Sequence, residues 1–300
     1  MNHDVAVIGG SYAGLSAALP LARARRSVLV FDTGTRRNRF AQASHGFLAQ
    51  DGNSPAAIVH SAREQLAKYP TVQWIDAAVE SASGSADAFQ LQGGGQAWAV
   101  RRIVLAAGVV DRLPELPGLQ ERWGRSVFHC PYCHGYEQHQ GRIGVIATGP
   151  HSLHQALLLS EWGQVTFFLD GALALGEEEQ AQLAGRGIRV DATRLQAVEG
   201  RATVVLADGR REPFEGLFVA SRTEPASPLA EQLGCEHDAT ALARHVKTGA
   251  MKETTVPGVF ACGDLARPTG NIAMAVGDGS VAGVAAHASL VFGLSFIRGA

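Results

Sequence analysis

The sequence lacks an excess of charge of either sign. It has 26 basic and 28 acidic side chains among 300 residues, for a formal charge of −2. A nucleic-acid or anionic-membrane binder needs a basic face, so we expect neither partner. The 46% hydrophobic content excludes wholesale disorder, and the length allows two packed domains. The aromatic residues show no spacing that indicates a binding platform.

Cysteine is also scarce, because four residues are too few for a disulfide scaffold at this length. The stretches 5–22 and 279–297 contain no Asp, Glu, Lys or Arg, and each approaches the length of a membrane span. Gly, Ser and Ala dilute both stretches, so we expect them to be buried in a soluble protein. No basic segment precedes the first stretch. We therefore expect no signal peptide and a cytoplasmic location.

Glycine is abundant, with 35 residues, and the first cluster of it lies in a β-loop-α-β pattern. Strands are predicted at 4–7 and 27–31 and a helix at 15–25. Asp32 ends the second strand, and the loop is Gly9, Gly10, Ser11, Tyr12, Ala13 and Gly14. Such a loop admits a pyrophosphate to the start of a helix, while the acid binds a ribose hydroxyl. Ser11 stands where a second glycine is usual, and an ordinary tight turn is the alternative.

The β-loop-α-β pattern occurs a second time, with strands predicted at 143–146 and 165–169, a loop at 147–152 and a helix at 153–162. Between the two patterns we predict a helix at 56–69 and strands at 72–75, 77–80, 89–91, 97–100 and 102–108. A strand ending at Asp264 and a helix at 271–291 close the chain. This order predicts an α/β fold with two dinucleotide-binding, Rossmann-like domains.

Cys130 and Cys133, in the run Cys-Pro-Tyr-Cys-His, are the sharpest chemical signal. A zinc site would need further ligands, and no second Cys-x-x-Cys exists, although nearby histidines keep zinc open. A redox dithiol fits this spacing better. His134 directly follows the pair and is a candidate proton carrier, with a surface histidine as the alternative. Cys262 is predicted to be a core residue and Cys235 to be incidental.

These motifs together resemble the low-molecular-weight thioredoxin reductase family of flavoproteins, over essentially the whole chain. The likeness rests on GGSYAG, LAAG, CPYC and VFACGD, the last followed by a Gly- and Ala-rich helix. It implies a discontinuous FAD-binding domain from residues 1–115 and 246–300. An inserted NAD(P)-type domain, residues 116–245, would carry the redox pair. A homodimer is expected from the resemblance alone.

The resemblance also implies which residues hold FAD. The glycine loop and Asp32 would bind its ADP half, and a helix start at residue 271 would stabilise negative charge on the reduced flavin. Arg39 and His45 are weaker flavin-site candidates, for which surface or core packing is an equal alternative. The remaining implied cofactor residues are Val79, Ala107, Gly108, Asp264, Asn271, Ile272 and Ala273. No metal is expected.

Two departures from the ordinary family pattern bear on function. His134 stands where thioredoxin reductases carry Asp after the second cysteine. In the second nucleotide loop, Ala147 replaces a glycine and Pro150 removes a backbone donor. Asp170 ends the next strand and would repel a 2′-phosphate. NAD(P)H binding is therefore doubtful, and the alternative is that NADH still binds.

Both departures resemble a subgroup of the family, the dithiol oxidases that close the disulfides of gliotoxin- and holomycin-like molecules. The resemblance implies oxidation of a small-molecule dithiol through Cys130 and Cys133, with oxygen as the final acceptor. The alternative is an NAD(P)H-dependent disulfide reductase acting on a thioredoxin-like protein. A third possibility is a flavin-binding or redox-sensing protein without turnover.

Overall fold

Buried apolar strands alternate with helices along the chain, in the order that α/β proteins have. The computed structural model describes residues 2–298. The strands are β1 (Asn2–Ile8), β2 (Val28–Phe31), β3 (Val72–Ile75), β4 (Ser81–Ser83), β5 (Phe89–Gly93), β6 (Gln96–Leu105), β7 (Val109–Arg112), β8 (Val127–Phe128), β9 (Arg142–Ile146), β10 (Gln164–Phe168), β11 (Arg189–Asp191), β12 (Leu195–Glu199), β13 (Thr203–Leu206), β14 (Arg211–Pro213), β15 (Gly216–Val219), β16 (Arg222–Pro225), β17 (His237–Ala239), β18 (Arg244–Val246) and β19 (Val259–Ala261). The helices are α1 (Tyr12–Arg23), α2 (Pro55–Ala67), α3 (Pro131–His134), α4 (His151–Leu159), α5 (Glu177–Gly185), α6 (Leu229–Gln232), α7 (Ile272–Phe292) and α8 (Leu294–Arg298).

Contacts along the chain divide it into two units. Unit 1 is the described part of Met1–Arg39, Pro55–Val110 and Thr223–Ala300, and unit 2 is Phe40–Ser54 with Asp111–Arg222. These boundaries differ from those predicted, because the chain re-enters unit 1 at Thr223 rather than at residue 246. Leu229 and Cys235, on the re-entering segment, pack in the same buried cluster as strand β5 of unit 1.

The main sheet of unit 1 has the order β3-β2-β1-β6-β5-β4, with β19 also paired to β6. Strands β1, β2, β3, β6 and β19 are parallel. Their carboxyl ends are in register, because Ile8 is opposite both Phe31 and Leu105, and Leu105 is opposite Ala261. The loops that follow these strands therefore lie at one edge of the sheet, which is the edge where ligands bind in such folds.

Helices α1 and α7 of unit 1 pack closely because small residues line their contact. A side-chain carbon at Gly279 would overlap the backbone of Ala13. The Ser16 hydroxyl donates to the Val276 carbonyl at 2.6 Å. Helix α7 is also the single described helix long and apolar enough to cross a membrane, with 44% of that window buried. Length and composition of one helix are weak evidence for a span, and this one covers α1.

The main sheet of unit 2 has the order β11-β10-β9-β15-β8, and all its neighbours are parallel. Ile146 is opposite both Phe168 and Val219, so the carboxyl ends again meet at one edge. A smaller antiparallel sheet, β12-β13-β14, accompanies it. The α/β class and both predicted β-loop-α-β patterns are thus confirmed.

The predicted strands are wrong at two places. Those predicted at 97–100 and 102–108 form one strand, β6, which ends at Leu105. Residues 77–80 form no strand, and the strand begins at Ser81 instead. The cause is pairing: the ladder with β5 runs from Ser81 opposite Gln92 to Ser83 opposite Gln90. The polar Ser-Ala-Ser segment is therefore extended, although the apolar residues before it look more strand-like.

Candidate redox and dinucleotide site

The first glycine loop joins the end of β1 to the start of α1. The Gly9 N–H donates to the Phe31 carbonyl at 2.8 Å, which places the loop beside the end of β2. Gly9 has φ +111°, and a side-chain carbon at Gly14 would overlap the Gly9 carbonyl. Ser11 is the N-cap residue but makes no side-chain capping hydrogen bond. The first turn of α1 therefore has no side-chain cap that would compete with a phosphate.

The other residues expected to hold FAD lie mainly along the same edge of unit 1. Asp32 directly follows β2, and its N–H donates to the Ile75 carbonyl at 3.0 Å. Ala107 and Gly108 follow β6, and Val79 is buried in the adjacent core. Asp264 lies in a 3₁₀ turn after β19. Asn271 caps α7 by accepting from the Met274 N–H at 2.9 Å, so Ile272 and Ala273 begin that helix.

A polar segment after β2 adds residues that the motif analysis missed. Arg37 donates to the Asp264 carboxylate at 2.8 Å, and the Asn38 amide donates to the Tyr12 hydroxyl at 3.0 Å. The buried Asn38 Oδ1 and Arg36 Nε atoms have no hydrogen-bond partner in the described part of the chain. The predicted Arg39 donates to the Arg36 carbonyl. The run Arg-Arg-Asn-Arg at 36–39 could have indicated this set, but not which arginine reaches Asp264.

These groups of unit 1 fit a dinucleotide. A pyrophosphate needs N–H donors at a helix start and a nearby cation, and the start of α1 and Arg37 supply both. The unpartnered Asn38 Oδ1 is an acceptor that a ribose hydroxyl satisfies. Among residues 2–298, no group of three or more His, Cys, Asp or Glu side chains could hold a metal ion.

The cysteine pair of unit 2 forms a disulfide. The Cα atoms of Cys130 and Cys133 are 5.3 Å apart. Cys130 is the extended N-cap residue of α3, and Pro131 occupies the first helical position, where proline costs no hydrogen bond. The pair closely follows β8, which ends at Phe128 and lies parallel to β15. The disulfide is therefore positioned from the carboxyl edge of the unit 2 sheet.

His134 ends α3 and stacks on Phe128, with ring centroids 4.2 Å apart and planes 13° apart. Burial, with a smaller contribution from the charge of His45, lowers the pKa of His134 to about 4. Its Nδ1 atom is buried, and none of the described residues forms a hydrogen bond with it. At neutral pH His134 is therefore an unprotonated base rather than an ordinary surface histidine.

His45, a weaker flavin-site candidate, lies on a short loop that belongs to unit 2. Its Nδ1 atom is 3.5 Å from Asp51 and its Nε2 atom is 3.5 Å from Glu137. Glu137 follows the disulfide helix in the next turn. The contacts of His45 therefore associate it with the redox pair.

The second nucleotide loop of unit 2 is closed by its own side chains. The Ser152 hydroxyl accepts from the Thr148 N–H at 2.9 Å, and the Thr148 hydroxyl donates to the Ala220 carbonyl at 2.9 Å. Pro150 is the N-cap residue of α4 and offers no capping side chain. A loop N–H that a pyrophosphate would use is thus already bonded within the chain.

Asp170, at the end of β10, is also occupied within unit 2. Its carboxylate accepts from the Leu195 N–H at 2.9 Å, and its carbonyl accepts from Arg194. The Arg194 guanidinium covers the backbone of Gly171. Asp170 and the backbone after it are therefore already engaged by Arg194 and Leu195.

The other two cysteines are buried thiols outside the disulfide. Cys262 is fully buried, as predicted for a core residue. Burial, reinforced by the charge of Asp278, raises its pKa to about 12. Cys235 is buried as well, and burial raises its pKa. Neither thiol ionises near neutral pH, which leaves Cys130 and Cys133 as the reactive pair.

The comparisons with known proteins agree with this site. Residues 3–279 match the model of the pyridine nucleotide-disulphide oxidoreductase family, and the chain belongs to that family. Thioredoxin reductase tcpT of Claviceps purpurea is 33% identical and covers 97% of this chain and 95% of its own length. Thioredoxin reductase sirT of Leptosphaeria maculans is 33% identical and covers 93% of this chain and 92% of its own length.

Solved structures agree as well. An oxidoreductase from Agrobacterium tumefaciens is 50% identical, with a TM-score of 0.96 over 97% of this chain and 99% of its own. HlmI is 35% identical, with a TM-score of 0.90 over 99% of this chain and 96% of its own. The predicted likeness to thioredoxin reductases is confirmed. The chain is a thioredoxin reductase-like flavin disulfide oxidoreductase.

Proposed function

We propose that this protein is an FAD-dependent dithiol oxidase, which oxidises a small-molecule dithiol to a disulfide with oxygen as the final acceptor. The observation that carries the proposal is the contrast within unit 2. Its nucleotide loop is closed by Ser152, whereas its sheet edge carries an intact cysteine disulfide. Electrons therefore enter through a dithiol rather than through a pyridine nucleotide.

The chain's own residues perform the exchange. One substrate thiolate attacks the Cys130–Cys133 disulfide, and the second substrate thiol displaces the mixed disulfide. The substrate loses two electrons and two protons, and the two cysteines become thiols. His134 accepts a proton from the attacking thiol and returns protons as the pair cycles. FAD would supply the two-electron oxidation that re-forms the disulfide, with oxygen as the final acceptor and hydrogen peroxide as its product, and water would supply the two protons of the peroxide.

FAD would be held by unit 1. The glycine loop and the start of α1 would receive its pyrophosphate, together with Arg37 held by Asp264. Asp32 would accept from the ribose hydroxyls of its ADP half. The remaining proposed contacts are the residues named above for this edge: Val79, Ala107, Gly108, Asn271, Ile272 and Ala273.

The second candidate is an NAD(P)H-dependent disulfide reductase of a thioredoxin-like protein. It is favoured by the names of tcpT and sirT, which are both thioredoxin reductases. It requires Thr148 and Ser152 to separate so that the loop admits a pyrophosphate. An enzyme that binds NADH but not NADPH would lie between the two candidates. The reason is that the Asp170 carboxylate repels the 2′-phosphate, which only NADPH carries.

Anaerobic reduction of the bound flavin separates the two candidates. We expect dithiothreitol to bleach the flavin rapidly and micromolar NADPH or NADH to leave it oxidised. Cys130→Ser and Cys133→Ser should abolish the reaction with dithiothreitol. Rapid bleaching by NADPH, without dithiol turnover in air, would establish the reductase and refute the oxidase.

We further propose a cytoplasmic homodimer. A reactive disulfide that cycles through thiols is typical of catalytic rather than structural use in a reducing compartment. The closing helices of unit 1 expose apolar side chains, Val284 at 48% and Phe292 at 63%, which suit a contact with a second copy. Light scattering on the purified holoenzyme tests the dimer, and a monomeric mass at micromolar concentration would refute it.

A further inference from the structure

The redox centre of unit 2 has to dispose of protons. Each substrate dithiol releases two of them, under the function proposed above, and they must leave the cysteine pair when the disulfide re-forms. His134 is the base next to the pair, but its buried ring holds a proton poorly. Its Nδ1 atom has no partner in the surrounding protein. A proton received by His134 therefore needs a second acceptor.

His45 is placed to be that acceptor. It contacts Glu137, which lies three residues after His134 in the turn that follows α3, so the imidazole lies beside the segment that carries the redox pair. Its Nε2 atom lies 3.5 Å from Glu137, and its Nδ1 atom lies 3.5 Å from Asp51. Glu137 Oε2 is buried and has no hydrogen-bond partner among residues 2–298.

The exposed fraction of the side chain increases from His45 to Glu137 and then to Asp51. The His45 side chain is 24% exposed, Glu137 is 36% exposed and Asp51 is 67% exposed. A chain of titratable groups from a buried ring to an exposed carboxylate is what proton transfer to water requires. The disulfide, the two histidines and both carboxylates all belong to unit 2.

The loop that carries His45 is held in shape by its own backbone. The Ser44 N–H donates to the Asn53 carbonyl at 2.8 Å, and the Gly52 N–H returns a bond to Ser44 at 2.9 Å. Asp51 accepts from the Gly46 N–H at 2.7 Å. These bonds hold the loop around His45 in a fixed shape. Asp51 contributes twice, because its carboxylate accepts a loop hydrogen bond and also lies beside the His45 imidazole.

We propose that His45 and Glu137 are positioning residues for His134 and together form the proton outlet of the redox centre. His45 takes the proton that His134 removes from the substrate thiol, and Glu137 and Asp51 pass it to water. The reverse path returns protons when the reduced pair needs them. Only protons travel along this path, and the two that leave here are balanced by the two that oxygen takes up from water when it is reduced to hydrogen peroxide.

The test follows disulfide reduction by dithiothreitol in the anaerobic holoenzyme, from about pH 6 to about pH 9. The cysteine state is trapped with iodoacetamide and read by mass spectrometry, and flavin absorbance is followed in parallel. The variants are His45→Ala and Glu137→Gln. The matched control is His60→Ala, because His60 also faces a glutamate, Glu64, at 3.3 Å, but lies on α2 of unit 1.

We expect His45→Ala to slow reduction about tenfold near pH 7, with the loss fading at alkaline pH where hydroxide accepts the proton. Added imidazole should recover most of the rate. Glu137→Gln should have a smaller effect in the same direction. The double variant should be no slower than His45→Ala, because the two residues act in one path. His60→Ala should match the wild type.

Three other outcomes would contradict the proposed proton outlet. A rate loss that is equal at all pH values and not rescued by imidazole would show a structural role. An unchanged rate would show no role, and loss of bound FAD would make His45 a flavin ligand. The dithiol oxidase proposal can fail independently of the proton outlet. It fails if dithiothreitol reduces the wild type but the enzyme does not turn over in air. The comparison of reduction rates among the variants would still test the outlet in that case.

Discussion

The two β-loop-α-β segments of this chain have the same order of elements but different loops. In unit 1 the loop from Gly9 to Gly14 passes close to neighbouring backbone, and Ser11 leaves the helix start without a cap. In unit 2 the corresponding loop is bonded by Ser152, and Asp170 is bonded by Leu195. One segment keeps its donors available and the other uses them internally.

The difference shows that the same order of strands and helix can accompany two loops with different internal hydrogen bonding. The unit 2 sheet remains fully parallel, with its carboxyl ends in register. The disulfide follows β8 and lies at the start of α3, near that edge. We infer that unit 2 retains the nucleotide fold as a support for the cysteine pair. The four predictions below test this comparison in order of decreasing effect.

The largest effect should come from the open loop of unit 1. Gly14→Val would force a side chain into the Gly9 carbonyl, so the loop cannot keep its shape. We expect flavin per polypeptide to fall more than about tenfold, measured by absorbance after gel filtration. Gly277→Ala is the control, because a side chain there meets open space. Full flavin content in Gly14→Val would remove the loop from the cofactor site.

The second prediction concerns the pH stability of unit 2. The pKa of His134 is lowered to about 4 in the folded protein, so the unfolded chain binds more protons between there and about pH 6.5. Stability should therefore be lost as pH falls through this window, by up to about 3 kcal/mol. His134→Asn should flatten that dependence in urea unfolding at about pH 7 and about pH 5. His60→Asn should not, and an unchanged slope in His134→Asn would contradict the assignment.

The third prediction sharpens the role of the polar segment after β2. Arg37→Met removes the cation held 2.8 Å from Asp264. Loss of a charged hydrogen bond to a phosphate should weaken FAD binding about tenfold, in fluorescence titration of protein stripped of flavin. Arg23→Met is the control, since Arg23 donates to Tyr69 at the other end of α1. Equal affinities for the two variants would exclude Arg37 from the site.

The smallest effect should come from opening the loop of unit 2. Ser152→Ala frees the Thr148 N–H, but Pro150 and the occupied Asp170 remain. We expect affinity for NADH to improve only about threefold, by calorimetry. Ser160→Ala, which loses a bond to the Leu157 carbonyl, controls for removal of a hydroxyl near α4. A gain of a hundredfold would mean that Ser152 alone closes the site, and the comparison would fail.

Local patterns predicted most of the fold. Both β-loop-α-β segments could be placed because apolar strands and glycine loops have strong local signals. The strand predicted at 77–80 is wrong because the position of β4 depends on its pairing with β5, which lies later in the chain. The start of the last segment of unit 1 was placed at 246 instead of Thr223 because burial of Leu229 and Cys235 beside Phe89 has no local signature.

The site was predictable where residues are adjacent in sequence. The cysteine pair and His134 follow from one pentapeptide, and the disulfide is present. His45 could not be matched to Glu137, because the contact spans more than ninety positions of sequence and depends on the folded loop. Arg37 could not be chosen over Arg36 or Arg39 for the same reason. The hydrogen bond from the Thr148 N–H to the Ser152 hydroxyl is not apparent from the sequence, because it depends on how the loop folds.

The pairing of β19 with β6 in unit 1 has a consequence for biosynthesis. Strand β6 is complete at Leu105, yet its partner β19 is made more than 150 residues later. All of unit 2, which ends at Arg222, is synthesised before β19 is translated. We therefore expect the redox unit to emerge from the ribosome able to fold first. The dinucleotide unit would wait for the last segment, and its cofactor would be captured as the final step of maturation.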